Sequence, residues 1–144
     1  MSDKYRVYLH GIETAVPPSS YSQEYARDFM RALPVYTEKH KRFIDRIYDR
    51  SAIEKRHSVI DDYGKAPGEY RFYPPTADLL PEPSIDKRND LFIPEANRLS
   101  LEAARKLLDG RYGPSAEDIT HVVTASCTGF SAPGFDFYLA KTLP

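Results

Sequence analysis

The sequence predicts an α/β fold, with strands and amphipathic helices following one another along 144 residues. Three observations carry that prediction. Residues 5–12 (YRVYLHGI) alternate as a strand with one buried face does. Residues 119–125 (ITHVVTA) form a second apolar run with no polar alternation at Val122 and Val123, the pattern of a central strand covered on both faces. Between them lie apolar stripes at helical spacing, opened by capping residues.

Taken in order, Pro17 and Pro18 end the first strand. Ser20 then offers a helix cap with Gln23 three residues on, a capping-box pattern. Tyr25, Ala26, Phe29, Met30 and Leu33 follow at helical spacing, and Pro34 closes that helix. Thr37 caps the next helix, whose apolar stripe is His40, Phe43, Ile44, Ile47 and Tyr48. Residues 53–60 fit either a strand or an extended segment. From Asp61 to about Pro94 the chain is rich in proline and charge, and it is expected to be a long ordered excursion with little regular structure, anchored by Tyr70, Phe72, Tyr73, Leu79 and Leu80. A helix is expected from about Glu95 to Leu108, with Ala96, Leu99, Ala103 and Leu107 facing inward and Gly110 as its stop. Residues 115–118 cap the Ile119 strand, and a final helix starts near Phe135.

Composition narrows the function classes. Hydrophobic content of 41% with 28% charged residues suits a chain that buries a core, and excludes a disordered one. A net charge of -1 gives no basic field to draw nucleic acid. One cysteine excludes an internal disulfide framework and a cysteine-rich zinc site, and the four histidines show no metal-ligand spacing, so no metal is expected. No run approaches the roughly 18 apolar residues of a membrane span. The first five residues lack an apolar signal core, and a cytoplasmic protein is the expectation.

Two constellations carry chemistry. Cys127 sits where the second strand meets a small-residue turn. A thiol there is either an acyl-accepting thiolate, given a helix dipole and a histidine, or a small inert residue at a strand end. Arg42, Arg46 and Arg50 recur every four residues and line one helix face, with Lys39 and Lys55 able to widen the patch. The stripe is either an anion site, best suited to phosphates, or a solvated face with Glu38 pairing to Arg42. The turn at Ala132-Pro133-Gly134 is tight, and a cis bond before Pro133 is open to it.

These pieces resemble, in order, the N-terminal part of the type III polyketide synthases of the chalcone and stilbene synthase kind. The resemblance rests on residues 11–18 (GIETAVPP), 49–57 (DRSAIEKRH), 82–90 (EPSIDKRND), 102–104 (EAA), 120–123 (THVV) and 126–134 (SCTGFSAPG). It covers nearly the whole chain, and the order and spacing are more specific than any single motif. It implies a thiolase-like fold, of which residues 1–144 are the N-terminal half, a mixed sheet with covering helices, truncated before the catalytic cysteine. It implies an acyltransferase that loads an acyl-CoA on a cysteine, extends it with decarboxylated malonyl-CoA and cyclises the product, usually as a homodimer. No covalent cofactor is implied. Acyl-CoA and malonyl-CoA are substrates.

The family nucleophile lies in a Gly-Cys motif one strand-and-helix unit after the Cys-Thr-Gly turn, and the catalytic histidine and asparagine lie further on, all beyond residue 144. Cys127 and Thr128 instead match positions that line the starter-acyl pocket. Ala132 matches the residue that reaches across the dimer into the partner's cavity, where alanine leaves more room than the methionine of plant members. Arg46 and Arg50 match two family positions that bind CoA phosphates. A third falls on Phe43, a departure that adjacent Arg42 would have to offset. Two other readings stay open: a catalytically empty fragment or a subunit complementing a separate C-terminal half, and ketoacyl synthase III-like chemistry with Cys127 as nucleophile, since Cys127-Thr128-Gly129-Phe130 resembles that family's Ala-Cys-Xaa-Gly-Phe motif. The isolated chain is expected to expose Val122, Val123, Phe130, Phe135, Phe137 and Tyr138, to be poorly soluble or oligomeric, and to lack condensing activity.

Overall fold

The computed structural model describes residues 6–110 and 113–144. The chain divides into two compact units. One runs from Val16 to Lys87; the other takes the described residues before Val16 together with those from Arg88 onward.

The Val16–Lys87 unit is a β-ribbon backed by a helical hairpin. Strand β1 (Ser19–Ser22) pairs antiparallel with β2 (Lys55–Ser58), with Ser20 opposite His57 and Tyr21 opposite Arg56. Helices α1 (Gln23–Ala32) and α2 (Glu38–Arg50) follow β1. The cap of α1 is Ser22, whose Oγ accepts the Tyr25 N–H at 3.1 Å, and not Ser20, which is spent inside the strand. Gln23 is freed from any capping role. Its backbone N–H reaches Glu54 O at 2.9 Å, and its amide bridges Tyr48 O at 3.1 Å, Ser51 Oγ at 2.7 Å and Arg56 Nε at 2.7 Å. One side chain thus ties α1, the end of α2 and β2 together. Thr37 does cap α2, with His40 Nδ1 facing its N–H at 3.3 Å. The hairpin is cross-linked by Arg31–Asp45 at 2.5 Å and Arg27–Asp49 at 3.3 Å.

Leu33 and Ile44 are the buried apolar side chains of this unit among the described residues. Phe43 and Ile47, expected inside, are exposed, Phe43 at 62%. Helical spacing alone made the stripe of α2 too wide.

The excursion from Asp61 is more regular than its composition suggests. Two 3₁₀ turns, Asp61–Gly64 and Pro67–Glu69, open it. Asp62 organises them: at 1% exposure, its carboxylate accepts the N–H groups of Arg71 at 2.9 Å, Phe72 at 2.8 Å and Tyr73 at 2.8 Å. A buried carboxylate persists only when its lone pairs are used in this way.

Helix α3 (Ile85–Asp109) begins ten residues before the expected start. Ser84 Oγ accepts the Lys87 N–H at 3.2 Å, as a capping side chain does. Pro94 lies inside the helix. It removes one donor and crowds the carbonyl four residues back, a cost of about 3 kcal/mol that a helix of this length absorbs. Most of α3 belongs to the second unit, where Leu101 is buried, as is Leu139 of α4 (Phe135–Thr142). Ala96, Leu99, Ala103 and Leu107 are half-buried.

Neither apolar segment of the second unit is a strand. Residues 6–12 and 119–125 carry no regular secondary structure, and only β1 and β2 form ladder bonds among the described residues. Tyr5 lies outside the described residues. Val7 is 96% exposed and Val123 93%. The physical reason is that a strand is defined by its neighbour: an apolar run without a partner strand builds no ladder, whatever its hydrophobic pattern. Leu107 and Lys106 of α3 hold the first segment, through contact with Gly11 and a bond from Lys106 Nζ to Thr14 O at 3.2 Å.

Candidate functional sites

The basic face of α2 is built by charge segregation along one helix. Its acidic residues are consumed locally. Asp45 and Asp49 turn to Arg31 and Arg27 of α1, and Glu38 pairs with Lys41 at 2.9 Å rather than with Arg42. The Lys41 hydrogen bond, then its charge, hold the Glu38 carboxyl below its ordinary value. Arg42, Arg46 and Arg50 are left exposed at i, i+4 and i+8, and none makes an ion pair or hydrogen bond among the described residues. Lys39 on α2 and Lys55 on β2 are exposed as well. Three exposed guanidinium groups without a direct ion pair, spaced about one helical turn apart, can converge on a polyanion.

Behind α2, a cavity of about 260 Å³ is lined by Tyr21, Tyr25, Phe29, Met30, Tyr48 and Tyr63 among others. Its polar groups are already used. Tyr25 Oη donates to Tyr63 O at 2.6 Å, Tyr63 Oη meets Tyr73 Oη at 2.7 Å, and the Arg56 guanidinium stacks over Tyr48 at 4.7 Å. Burial, then the hydrogen bond to Tyr73, push the Tyr63 phenol well above its ordinary value. These polar groups are engaged with one another and form no reactive cluster, although Tyr25 and His57 of the lining are exposed.

The second candidate site is the turn after residue 126, in the other unit. Cys127 and Thr128 form a bend, both exposed. Ser126 Oγ donates to Thr128 O at 2.5 Å and accepts the Thr128 N–H at 3.2 Å. Gly129 has φ 69°, and a Cβ there would overlap the Phe92 ring, so only glycine fits. Asn89 grips the next residue: its Nδ2 donates to Phe130 O at 2.7 Å, and Phe130 N donates to its Oδ1 at 2.9 Å. Ala132 is exposed, and the Ala132–Pro133 bond is cis. Among the described residues no histidine or cation is hydrogen-bonded to Cys127; the sequence neighbour His121 has its Nδ1 on Thr120 Oγ1 at 2.9 Å. Among the described residues there is also no cluster of ligands that could hold a metal ion.

Asn89 and Phe92 are the site residues that sequence reasoning missed, because both lie in the stretch assigned to the loop.

With the basic helix and the SCTGFSAPG turn in place, the relationship is decided by comparison. Residues 3–144 match the chalcone and stilbene synthases, N-terminal domain. The chain belongs to this family. Curcumin synthase 1 of Curcuma longa is 31% identical over 137 residues, which are 94% of this chain and 33% of that protein. The crystal structure of PKS-I from the brown alga Ectocarpus siliculosus superposes with a TM-score of 0.74 at 32% identity, over 99% of this chain and 38% of that one. A fungal type III polyketide synthase, ORAS, shares the fold at 22% identity, with a TM-score of 0.65 over 92% of this chain and 32% of that one. The chain thus spans about a third of the length of these relatives. The thiolase-like fold class follows from these neighbours, and the chain matches the N-terminal domain of the type III polyketide synthases, a transferase family.

Proposed function

We propose that residues 1–144 form the CoA-binding part of an acyltransferase that condenses an acyl-CoA starter with malonyl-CoA. In this reading Arg46 and Arg50, with Arg42, bind the CoA phosphates. Cys127, Thr128 and Ala132 line the acyl pocket. The nucleophilic cysteine and the histidine and asparagine that stabilise the thioester oxyanion and the enolate belong to sequence beyond residue 144. The chain alone is then inactive, needs a C-terminal half, and works in the cytoplasm as part of a homodimer with no covalent cofactor.

The observation that carries the reading is the α2 face, where the acidic residues are paired elsewhere and three exposed arginines make no direct ion pair. A solvated helix face has no need of that segregation. A phosphate site does, because a neighbouring carboxylate would compete with the ligand.

The test is titration of the purified chain with CoA, wild type beside Arg46→Ala/Arg50→Ala. The double variant should bind at least about tenfold more weakly, the order expected for losing charge-assisted bonds to phosphate. Wild-type affinity should also fall with added salt. Equal binding by both proteins would sink the phosphate assignment. In parallel, mass spectrometry after incubation with acyl-CoAs should find no adduct on Cys127. An adduct absent from Cys127→Ala would put the nucleophile in this chain and favour the ketoacyl synthase III-like chemistry.

A further inference from the structure

Helix α3 grips the turn after residue 126 with two side chains. Asn89 and Phe92 are three residues apart, so they share one face. Asn89 spends its donor and its acceptor on the two backbone groups of a single residue, Phe130, at 2.7 and 2.9 Å. That is the pairing a neighbouring strand would give, supplied by one side chain. Phe92 packs under Gly129, whose positive φ bends the backbone at that point. Ser126 Oγ fixes Thr128 from the other side. Thr128, Gly129 and Phe130 are therefore each held, while Cys127 and Ala132 project from the held segment into solvent.

We propose that Asn89 is a positioning residue: it locks residues 127–132 onto α3 and thereby sets how large an acyl group the wall made by Cys127, Thr128 and Ala132 admits. The proposal rests on the reading of those three residues as pocket wall. The chemistry of the amide is specific. Aspartate would keep an acceptor for the Phe130 N–H but set a negative oxygen against the Phe130 carbonyl. Glutamine could make both bonds only by pushing the turn outward by one methylene. Alanine would leave both backbone groups to water.

The experiment uses the 144-residue chain and three readouts: hydrogen exchange at the Phe130 amide, the alkylation rate of Cys127 by iodoacetamide, and the protection of Cys127 from alkylation by acetyl-, hexanoyl- and benzoyl-CoA. In Asn89→Ala, exchange at Phe130 should speed up by about tenfold, as for a lost backbone hydrogen bond. The alkylation rate should change in the same variant, and discrimination among the three acyl-CoAs should flatten. Asn89→Gln should restore slow exchange yet shift protection toward a different acyl size, which a purely structural role would not produce. If Asn89→Ala fails to fold, Asn89→Asp and Asn89→Gln carry the test, and wild-type acyl preference in both overturns the proposal. Unchanged exchange and alkylation in a folded Asn89→Ala also overturn it. Wild-type Cys127 shielded by none of the acyl-CoAs defeats the pocket reading itself. Wild-type discrimination preserved in Asn89→Ala defeats only the role of Asn89.

Discussion

The two strands that pair in the Val16–Lys87 unit are polar (SSYS and KRHS), whereas the apolar segments of the other unit form no ladder among the described residues. In the first, β1 and β2 find each other, Gln23 bridges three elements, and the buried Asp62 carboxylate has three donors. In the second, residues 6–12 and 119–125 form no strand, and Val7 and Val123 lie almost wholly in water. The lesson is that alternation and apolar runs do not by themselves build a ladder: the segments that carry them stay single, and two polar segments pair. Whether pairing occurs depends on a partner strand, and the partner is a long-range fact.

Three substitutions break or sharpen this contrast. The largest effect is expected from Asp62→Ala, which strands three backbone donors around a site that is 1% exposed. Urea denaturation should show a loss of about 3 kcal/mol or more, since each buried unsatisfied group costs roughly 1–3 kcal/mol. A loss near zero would mean that water replaces the carboxylate and that this unit is no better sealed than the other. Gly129→Ala comes next. The new methyl needs a left-handed backbone and meets the Phe92 ring, so about 1–3 kcal/mol should be lost. Rates of Cys127 alkylation should change with it, and a tolerated alanine would show that the turn is soft. The smallest stability effect is expected for Val123→Lys. A buried central strand would lose several kcal/mol, but at 93% exposure the change should stay within about 0.5 kcal/mol. Sedimentation should instead show weaker self-association, because the lysine interrupts an apolar patch. Strong destabilisation would mean the segment is already covered in solution.

What the sequence revealed follows the same division. The helices α1, α2 and α4, the Thr37 cap and the short turn at Ala116–Asp118 were legible because their signals are local. The arginine stripe was legible too, since four-residue spacing fixes a face without tertiary information. Its isolation was not: it depends on Asp45 and Asp49 choosing Arg31 and Arg27 across the hairpin. Ser20 misled because Ser20 and Ser22 both precede plausible helical residues, and only strand pairing decides between them. Pro94 misled more seriously. Taken as the end of a loop, it hid the first ten residues of α3, and with them Asn89 and Phe92, the two side chains that hold the SCTGFSAPG turn.

The bond from Lys106 to Thr14 also has a consequence for synthesis on the ribosome. The two groups are 92 residues apart in the chain. At about 5–20 residues per second, the apolar segment at residues 7–12 waits roughly 5–20 seconds for the helix that holds it. The β1–β2 ribbon closes over a much shorter span, with Ser19 opposite Ser58. The nascent protein therefore completes its ribbon well before the strap from Thr14 to α3 can form, and the apolar side chains of residues 7–12 are exposed both before and after that bond is made.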